Sequence, residues 1–295
     1  MEKIDLIIIS YNRLDELKNT VNNVLKYKKS LNKIIIIDNN SIDGTDKWLQ
    51  TLNDETFEII LSKKNLGVAG GRNLGIRKSE ADILVFLDDD AVFNEQKGNP
   101  FEIIRKNFEE NKRLGVIAFK IINYYTKRVQ KNEFPFTNKN IDENKKQNCA
   151  YYIGAGHAIL NEVFIKCGLY PEDYFYGKEE LDLSLRAINK GFEISYDPNI
   201  EIFHKQSPKG RMKNDEKWIQ VYRNRLIVSY KYYPFLYRVF TNILWFIKIS
   251  IVSNSIIVPI KGYIKYLKAK KNLKQSLINK ENIKYIKKYY GRLYY

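Results

Sequence analysis

Hydrophobic and polar positions follow two alternating rhythms over the first 90 residues. Ile4–Ser10 is an apolar run closed by Tyr-Asn-Arg, and Leu14, Leu17, Val21, Val24 and Leu25 then recur at helical spacing. Lys33–Ile37 is a second apolar run, closed by Asp38-Asn39-Asn40, and Ser41-Ile-Asp-Gly-Thr45 is turn-and-cap chemistry opening a short helix through Leu52. Phe57–Leu61 predicts a third strand, Val68–Ser79 a helix behind a glycine-rich loop, and Ile83–Leu87 a fourth strand. Continuous apolar strands separated by helices of ten to fifteen residues predict βαβ units and a mostly parallel sheet, a Rossmann-like α/β fold. Ligands bind such sheets at the carboxyl ends of the strands. The polar clusters YNR, DNNS and DDD all fall at those ends.

The pattern then loosens. Phe101–Glu110 predicts a helix and Gly115–Ile122 a strand, while the polar, Lys/Asn-rich stretch 123–148 reads as a long loop. Tyr151–Leu160 returns to strand character, followed by a helix from Asn161, taken as its N-cap. An aromatic loop spans residues 170–177, a helix Glu179–Lys190, and short strands Phe192–Tyr196 and Glu201–His204. From about Met212 the chain becomes aromatic and basic. Helical patterns cover Trp218–Tyr232, Phe235–Lys248 and Ile249–Lys271, and the longest uncharged stretch is Ile249–Ile260. A spanning helix needs ~20 predominantly apolar residues, so this tail is expected to lie on a bilayer rather than cross it.

Charge sharpens that division. The formal net charge is +16, and residues 211–295 hold 19 Lys/Arg against three acids, so residues 1–210 are neutral overall. We therefore expect two parts, a catalytic domain over 1–211 and a helical, basic extension over 212–295. Cys149 and Cys167 match no metal spacing and make no disulfide framework, and the N-terminus runs straight into a strand without a signal-peptide pattern. Both point to a reducing cytosol.

Candidate chemistry starts with Leu87-Asp88-Asp89-Asp90. Asp88 and Asp90, two apart on an extended chain, point the same way and can hold Mg²⁺ or Mn²⁺, with Asp89 facing the other way. An acidic turn capping a helix is the alternative. Arg72, in the run Asn65–Gly75, precedes a helix where backbone N–H groups can approach a phosphate. Asp38 suits either the imide N–H of a uracil or thymine, or a helix cap. Trp218 and the cluster Tyr174-Phe175-Tyr176 can stack on a sugar or pack in the core. Lys205, Lys209 and Arg211 can close over a diphosphate, solvated charge being the alternative.

Five stretches in order, IISYNR (8–13), DNNSIDGT (38–45), NLGVAGGRNLG (65–75), LDDDA (87–91) and YGKEELDLSLR (176–186), together resemble family 2 glycosyltransferases of the GT-A fold. The resemblance covers roughly residues 4–208. It implies an inverting sugar transfer from a nucleotide-diphosphate sugar, UDP or dTDP, assisted by Mn²⁺ or Mg²⁺. On the matching positions it places Ser10, Tyr11, Arg13 and Asp38 at the nucleobase, Arg72 and Asn73 near the nucleotide, and Asp88 and Asp89 beside them. Asp90 and Asp88 would bind the metal, with His204 as a further ligand. Glu180 would be the catalytic base, in a motif shared with Glu179 and Asp182; the family's common Glu-Asp pair is Glu-Glu here. Gly156, His157 and Trp218 are expected to line the pocket between donor and acceptor. Arg186 reads as the i,i+4 partner of Asp182.

The basic-aromatic tail fits helices lying in an anionic lipid interface, on the inner face of the cell membrane, and a saccharide or lipid-linked acceptor would suit that position. A homodimer through the tail helices is the other use of such a face. Two further function classes fit the chain less well. A sugar nucleotidyltransferase wants a Gly-rich basic loop after the first strand, where Ser-Tyr-Asn-Arg stands. A non-catalytic membrane or nucleic-acid binder would leave the acids idle, and no nucleic-acid module is recognisable.

Overall fold

The computed structural model describes residues 2–294. In chain order it contains β1 (Ile4–Ser10), α1 (Leu14–Leu25), β2 (Lys33–Asp38), α2 (Thr45–Leu49), β3 (Phe57–Leu61), α3 (Gly67–Lys78), β4 (Ile83–Asp88), β5 (Ala91–Phe93), α4 (Pro100–Glu110) and β6 (Leu114–Asn123). These are followed by β7 (Gln147–Cys149), β8 (Gly156–Leu160), α5 (Asn161–Cys167), α6 (Glu179–Asn189), β9 (Glu193–His204), α7 (Asn214–Tyr232), α8 (Phe235–Ser253), α9 (Ile257–Lys270) and α10 (Lys280–Lys288).

One sheet runs in the order β3-β2-β1-β4-β8-β6-β9-β5, with β7 on β9. Its first four strands are parallel, β8 is antiparallel to both neighbours, and β9 is parallel to β6. Period-two alternation splits the strand side chains between two cores. Ile7, Ile35, Ile37 and Phe86 face one, and Leu6, Ile8, Ile34, Ile36 and Val85 the other. Each fully buried aliphatic side chain contributes about 1.5–3 kcal/mol, so burial on both faces fixes the register. That register pairs Ser10 with Asp38 and Ile9 with Asp88, which sets the polar strand ends level along one edge.

Four expectations change. Residues 123–148 are anchored rather than a free loop, because Phe134 and Phe136 are buried beside Tyr196 and the stretch ends in β7. The strand expected over 151–160 begins only at Gly156, the preceding residues leaving the sheet toward the site. The two strands expected over 192–204 are one, β9, with an irregular register beside Pro198 in place of a break; a proline inside a sheet is accommodated at such bulges. Asn161 is the first residue of α5 and its side chain makes no cap bond.

The tail packs onto the body. Asn224 of α7 donates to the carbonyls of Tyr176 and Gly177, and Lys231 and Tyr232 donate to Asp182. Helices α8 and α9 pack against α7 with Trp245, Ile249 and Tyr266 inward. Their outer faces are apolar and exposed: Phe240, Ile243, Ile247 and Ile251 on α8, Ile260 and Ile264 on α9. By length and composition α8 suffices to cross a membrane over Phe235–Val252, which the count of uncharged residues had missed because Arg238 and Lys248 interrupt it.

Candidate active site

The acidic turn is built by a strand reversal. β4 ends at Asp88, and β5 then pairs antiparallel with β9, setting Ala91 opposite His204. This brings ligand atoms of Asp88, Asp90 and His204 within 4.8 Å of one another. Two carboxylates and an imidazole are a donor set that Mn²⁺ or Mg²⁺ accepts. His204 is oriented for it: Nδ1 is bonded to Glu133 at 2.5 Å, which turns Nε2 toward Asp90, 3.1 Å away. Burial works against an imidazolium, yet the bonds to Asp90 and Glu133 outweigh it and raise the His204 pKa to about 10. The Asp90 carboxyl is held down at about 2: burial opposes its charge, and the bond to His204 prevails. These residues fit a divalent cation once the His204 imidazolium gives up its Nε2 proton, the exchange that cation binding at an imidazole requires.

Asp89 does not face away as expected, because the chain turns after β4: it lines the same cavity as Asp88 and Asp90, and one Arg13 nitrogen lies within 3.4 Å of both Asp89 and Asp90. It accepts from Arg13 at 2.8 Å, and burial pushes its carboxyl up to about 7. Arg13 also donates to the carbonyls of Lys209 and Ser207, tying α1 to the loop after β9.

Two cavities meet at Asp88 and His204. The first, of about 220 Å³, is lined by Ser10, Tyr11, Arg13, Asn39, Asp88, Asp89, Asp90 and Arg211. It lies at the carboxyl ends of β1, β2 and β4. Asp38 does not line it; its carboxylate accepts from the Ser41 amide at 3.1 Å and caps the turn. Its neighbour Asn39 takes the place at the wall, bridging to Asn65 and Gly67. The start of α3 is partly closed to phosphate, since the Val68 amide donates to the Phe175 carbonyl. Gly67 is required there: its φ is +71°, and a Cβ would lie 2.3 Å from that carbonyl oxygen.

The second cavity, of about 400 Å³, is lined by Arg72, Asp88, Gly154, Glu179, Glu180, Trp218, Trp245, Lys248 and Arg292, among others. Arg72 is buried and bridges the two halves of the site. Its guanidinium reaches Glu180 at 3.0 Å, the Gly154 carbonyl at 3.0 Å and Asp88 at 3.8 Å. Burial opposes its charge, but Glu180, Tyr170 and Glu179 more than compensate and raise its pKa. Glu179 is fully enclosed; burial, then the adjacent Glu180, push its carboxyl up to about 8. Glu180 is the partly exposed member, at 18%.

Besides Asp38, four sequence-predicted site residues are not in the cleft. Asp182 lies on the far face of α6, accepting from Arg186, Lys231 and Tyr232. Arg186 is thus its i,i+4 partner, as expected. Asn73 clamps the backbone of Tyr170 with both ends of its amide. His157 is wholly buried, stacked on Phe86 at 4.8 Å and near Tyr152, and burial holds its pKa well below the usual range. Gly156 sits in the sheet, where a Cβ would meet Ile202 at 2.5 Å. The glycine that faces the cleft is Gly154, whose added Cβ would stand 2.2 Å from the Glu180 carboxylate. The GAG triplet signals it, but which glycine faces the cleft depends on where the strand starts.

A sheet of this order, with an acidic turn at its edge and a carboxylate-bearing helix across the cleft, defines a GT-A glycosyltransferase. Residues 5–168 match the model of Glycosyl transferase family 2, and the chain belongs to that family. This decides against the non-catalytic readings. An uncharacterised protein of Haemophilus influenzae is 34% identical over 172 residues, 57% of this chain and 92% of that protein. The poly-β-1,6-N-acetyl-D-glucosamine synthase of Staphylococcus aureus is 29% identical over 119 residues, 40% of this chain but only 28% of the synthase. Among solved structures, S. aureus TarS 1–349 in complex with UDP-GlcNAc superposes with a TM-score of 0.58 at 14% identity, over 77% of this chain and 66% of that one; it supports the fold.

Proposed function

We propose that this enzyme is an inverting glycosyltransferase that moves a sugar from a UDP- or dTDP-sugar to a hydroxyl of a surface glycan or lipid-linked acceptor. One observation carries the reading. Arg72 touches both Glu180 and Asp88, so the base and the cation-holding acids share one cleft although they lie far apart in sequence. The TarS complex with UDP-GlcNAc and the match to a poly-N-acetylglucosamine synthase support a nucleotide-sugar donor.

Asp88, Asp90 and His204 would hold Mn²⁺ or Mg²⁺, which when bound stabilises negative charge on the leaving diphosphate as a Lewis acid. The nucleotide occupies the cavity between Tyr11, Arg13 and Asn39. Glu180 takes the acceptor hydroxyl proton as that oxygen bonds to the anomeric carbon from the face opposite the departing phosphate oxygen. The anomeric carbon–oxygen bond breaks, its electron pair leaves on the nucleotide diphosphate, and configuration inverts. Arg72 donates to the Glu180 carboxylate at 3.0 Å and fixes its direction. Glu179 keeps its proton at neutral pH and leaves the role to its neighbour. A screen of nucleotide sugars with Mn²⁺, read by thermal shift and nucleoside diphosphate release, tests this. Release should occur with at least one donor and vanish in D90A; no release from any donor would sink it.

We also place the enzyme on the cytoplasmic face of an anionic membrane. The stripes on α8 and α9 are flanked by exposed Lys261, Lys265 and Lys268, and each adds ~1 kcal/mol near anionic lipid. Their positive charge favours lipid over a second copy of the same tail. Helix α8 lies in the interface rather than across it, because Trp245 and Lys248 on its inner side form part of the acceptor cavity wall.

A further inference from the structure

The helix that carries Glu180 begins on a turn that its own residues do not favour. Gly177 and Lys178, the two residues before α6, both have left-handed backbones, with φ of +80° and +79°. A lysine is disfavoured there because its Cβ crowds a backbone carbonyl, so surrounding contacts must impose the turn. The Lys178 carbonyl accepts from the Asp182 amide at 2.9 Å, and no side chain of Lys178 caps the helix start. The direction in which α6 sets out, and with it the place of Glu180, is inherited from this turn.

The contacts that hold the turn come from the tail. Asn224 of α7 is wholly buried, and its Nδ2 donates to the carbonyls of Tyr176 at 3.1 Å and Gly177 at 2.9 Å. Its Oδ1 accepts from Arg223 at 2.8 Å, which orients the amide. Arg223 reaches on to the carbonyl and carboxylate of Asp173, 2.9 and 2.6 Å away, so α7 grips the loop at both ends. The Val221 side chain closes on the turn, 3.1 Å from where a Cβ on Gly177 would stand. Tyr176 itself lines both cavities.

We propose that Asn224 is a positioning residue for the transfer: through the carbonyls of Tyr176 and Gly177 it holds the turn that aims Glu180 at the acceptor hydroxyl. The inference rests on the reading of Glu180 as the base. It makes α7 part of the catalytic apparatus, and the tail more than a means of attachment.

The test uses the full chain with Mn²⁺ and the nucleotide sugar selected by the screen above, read as nucleoside diphosphate release. N224A should lower kcat by about 10- to 100-fold, the scale of a small misplacement, with the donor KM within about twofold of wild type. G177A strains the same turn with Asn224 in place; it should lower kcat likewise, and it carries the test if N224A does not fold. In the E180Q background either change should cost less than about twofold more, because residues that act through one group are not additive. Hydrogen exchange reads the effect apart from activity: in N224A the amides of residues 182–184, the first bonded turn of α6, should exchange at least about tenfold faster while those of β1 and β4 hold. A slow E180Q slowed again in full by N224A, a kcat within about twofold of wild type in both variants, a loss confined to the donor KM, or unchanged exchange at 182–184 overturns the inference and leaves the base assignment standing. An E180Q that works near the wild-type rate overturns both, which separates the two failures.

Discussion

The two cavities that meet at Asp88 balance their charges in different ways. On the donor side the charges neutralise each other: Arg13 with Asp89, His204 with Asp90 and Glu133. An arriving cation would exchange one internal partner for another, so the acids are kept in place between turnovers. On the acceptor side one buried guanidinium, Arg72, is shared among Glu180, Glu179 and Asp88, and burial pushes the Glu179 carboxyl toward its neutral form. One half of the cleft gives its acids separate cations and the other shares a single one among three carboxyl groups. Arg72 is the seam between them.

The largest test of that division is E180Q. It should reduce transfer by about 10²- to 10⁴-fold, the scale of a general base, while nucleotide-sugar binding measured by thermal shift stays near wild type. Loss of both would show that the halves are not separable. Next, D90A should abolish the melting-temperature increase given by nucleotide and Mn²⁺ together, a donor-side effect; retained stabilisation would move the cation elsewhere. A smaller change is expected from I247D with I251D, which should shift the enzyme from anionic vesicles to the supernatant in a flotation assay. Each lost apolar side chain removes about 1.5–3 kcal/mol of lipid contact at most, and melting temperature should hold because both residues are exposed.

The finest test concerns Glu179. Its carboxyl is raised to about 8 in the folded protein against an ordinary value of 4.5, so between these the folded state binds the extra proton. Stability from this group is therefore present below about pH 4.5 and falls as pH rises toward 8. E179Q should flatten that part of the melting temperature–pH curve and raise the value at pH 8 relative to wild type. An unchanged slope would mean that Glu179 is ionised in the fold.

Much of this was readable in the chain. The strands β1 to β4 are apolar enough to be buried on both faces, and their polar ends, spaced by helices of ordinary length, had to come level. Asp88, Asp90 and Glu180 follow from that register and from the motif order. Of the two readings of Asp38 the cap holds, while Asn73 rested on the family resemblance and His157 on its place beside the glycines. Side-chain direction at a strand end turns on a single residue, and the neighbouring Asn39 and Gly154 proved to face the cleft. Glu133 gave no signal, because it lies in a polar stretch whose burial depends on Phe134 and Phe136 packing against β9. The cations along the wall of the second cavity were hidden for a related reason: Lys178, Lys248 and Arg292 are scattered among many solvated lysines, and only tertiary packing gathers them.

Glu133 carries one more implication. It belongs to the irregular stretch between β6 and β7, a region where surface enzymes ordinarily tolerate insertion and exchange, yet its carboxylate steadies the imidazole of His204. Evolution therefore cannot reshape that stretch for a new acceptor without retuning the grip on the cation. A shift in metal preference should accompany any swap of this segment between related enzymes, even when every ligand of the ion is left untouched.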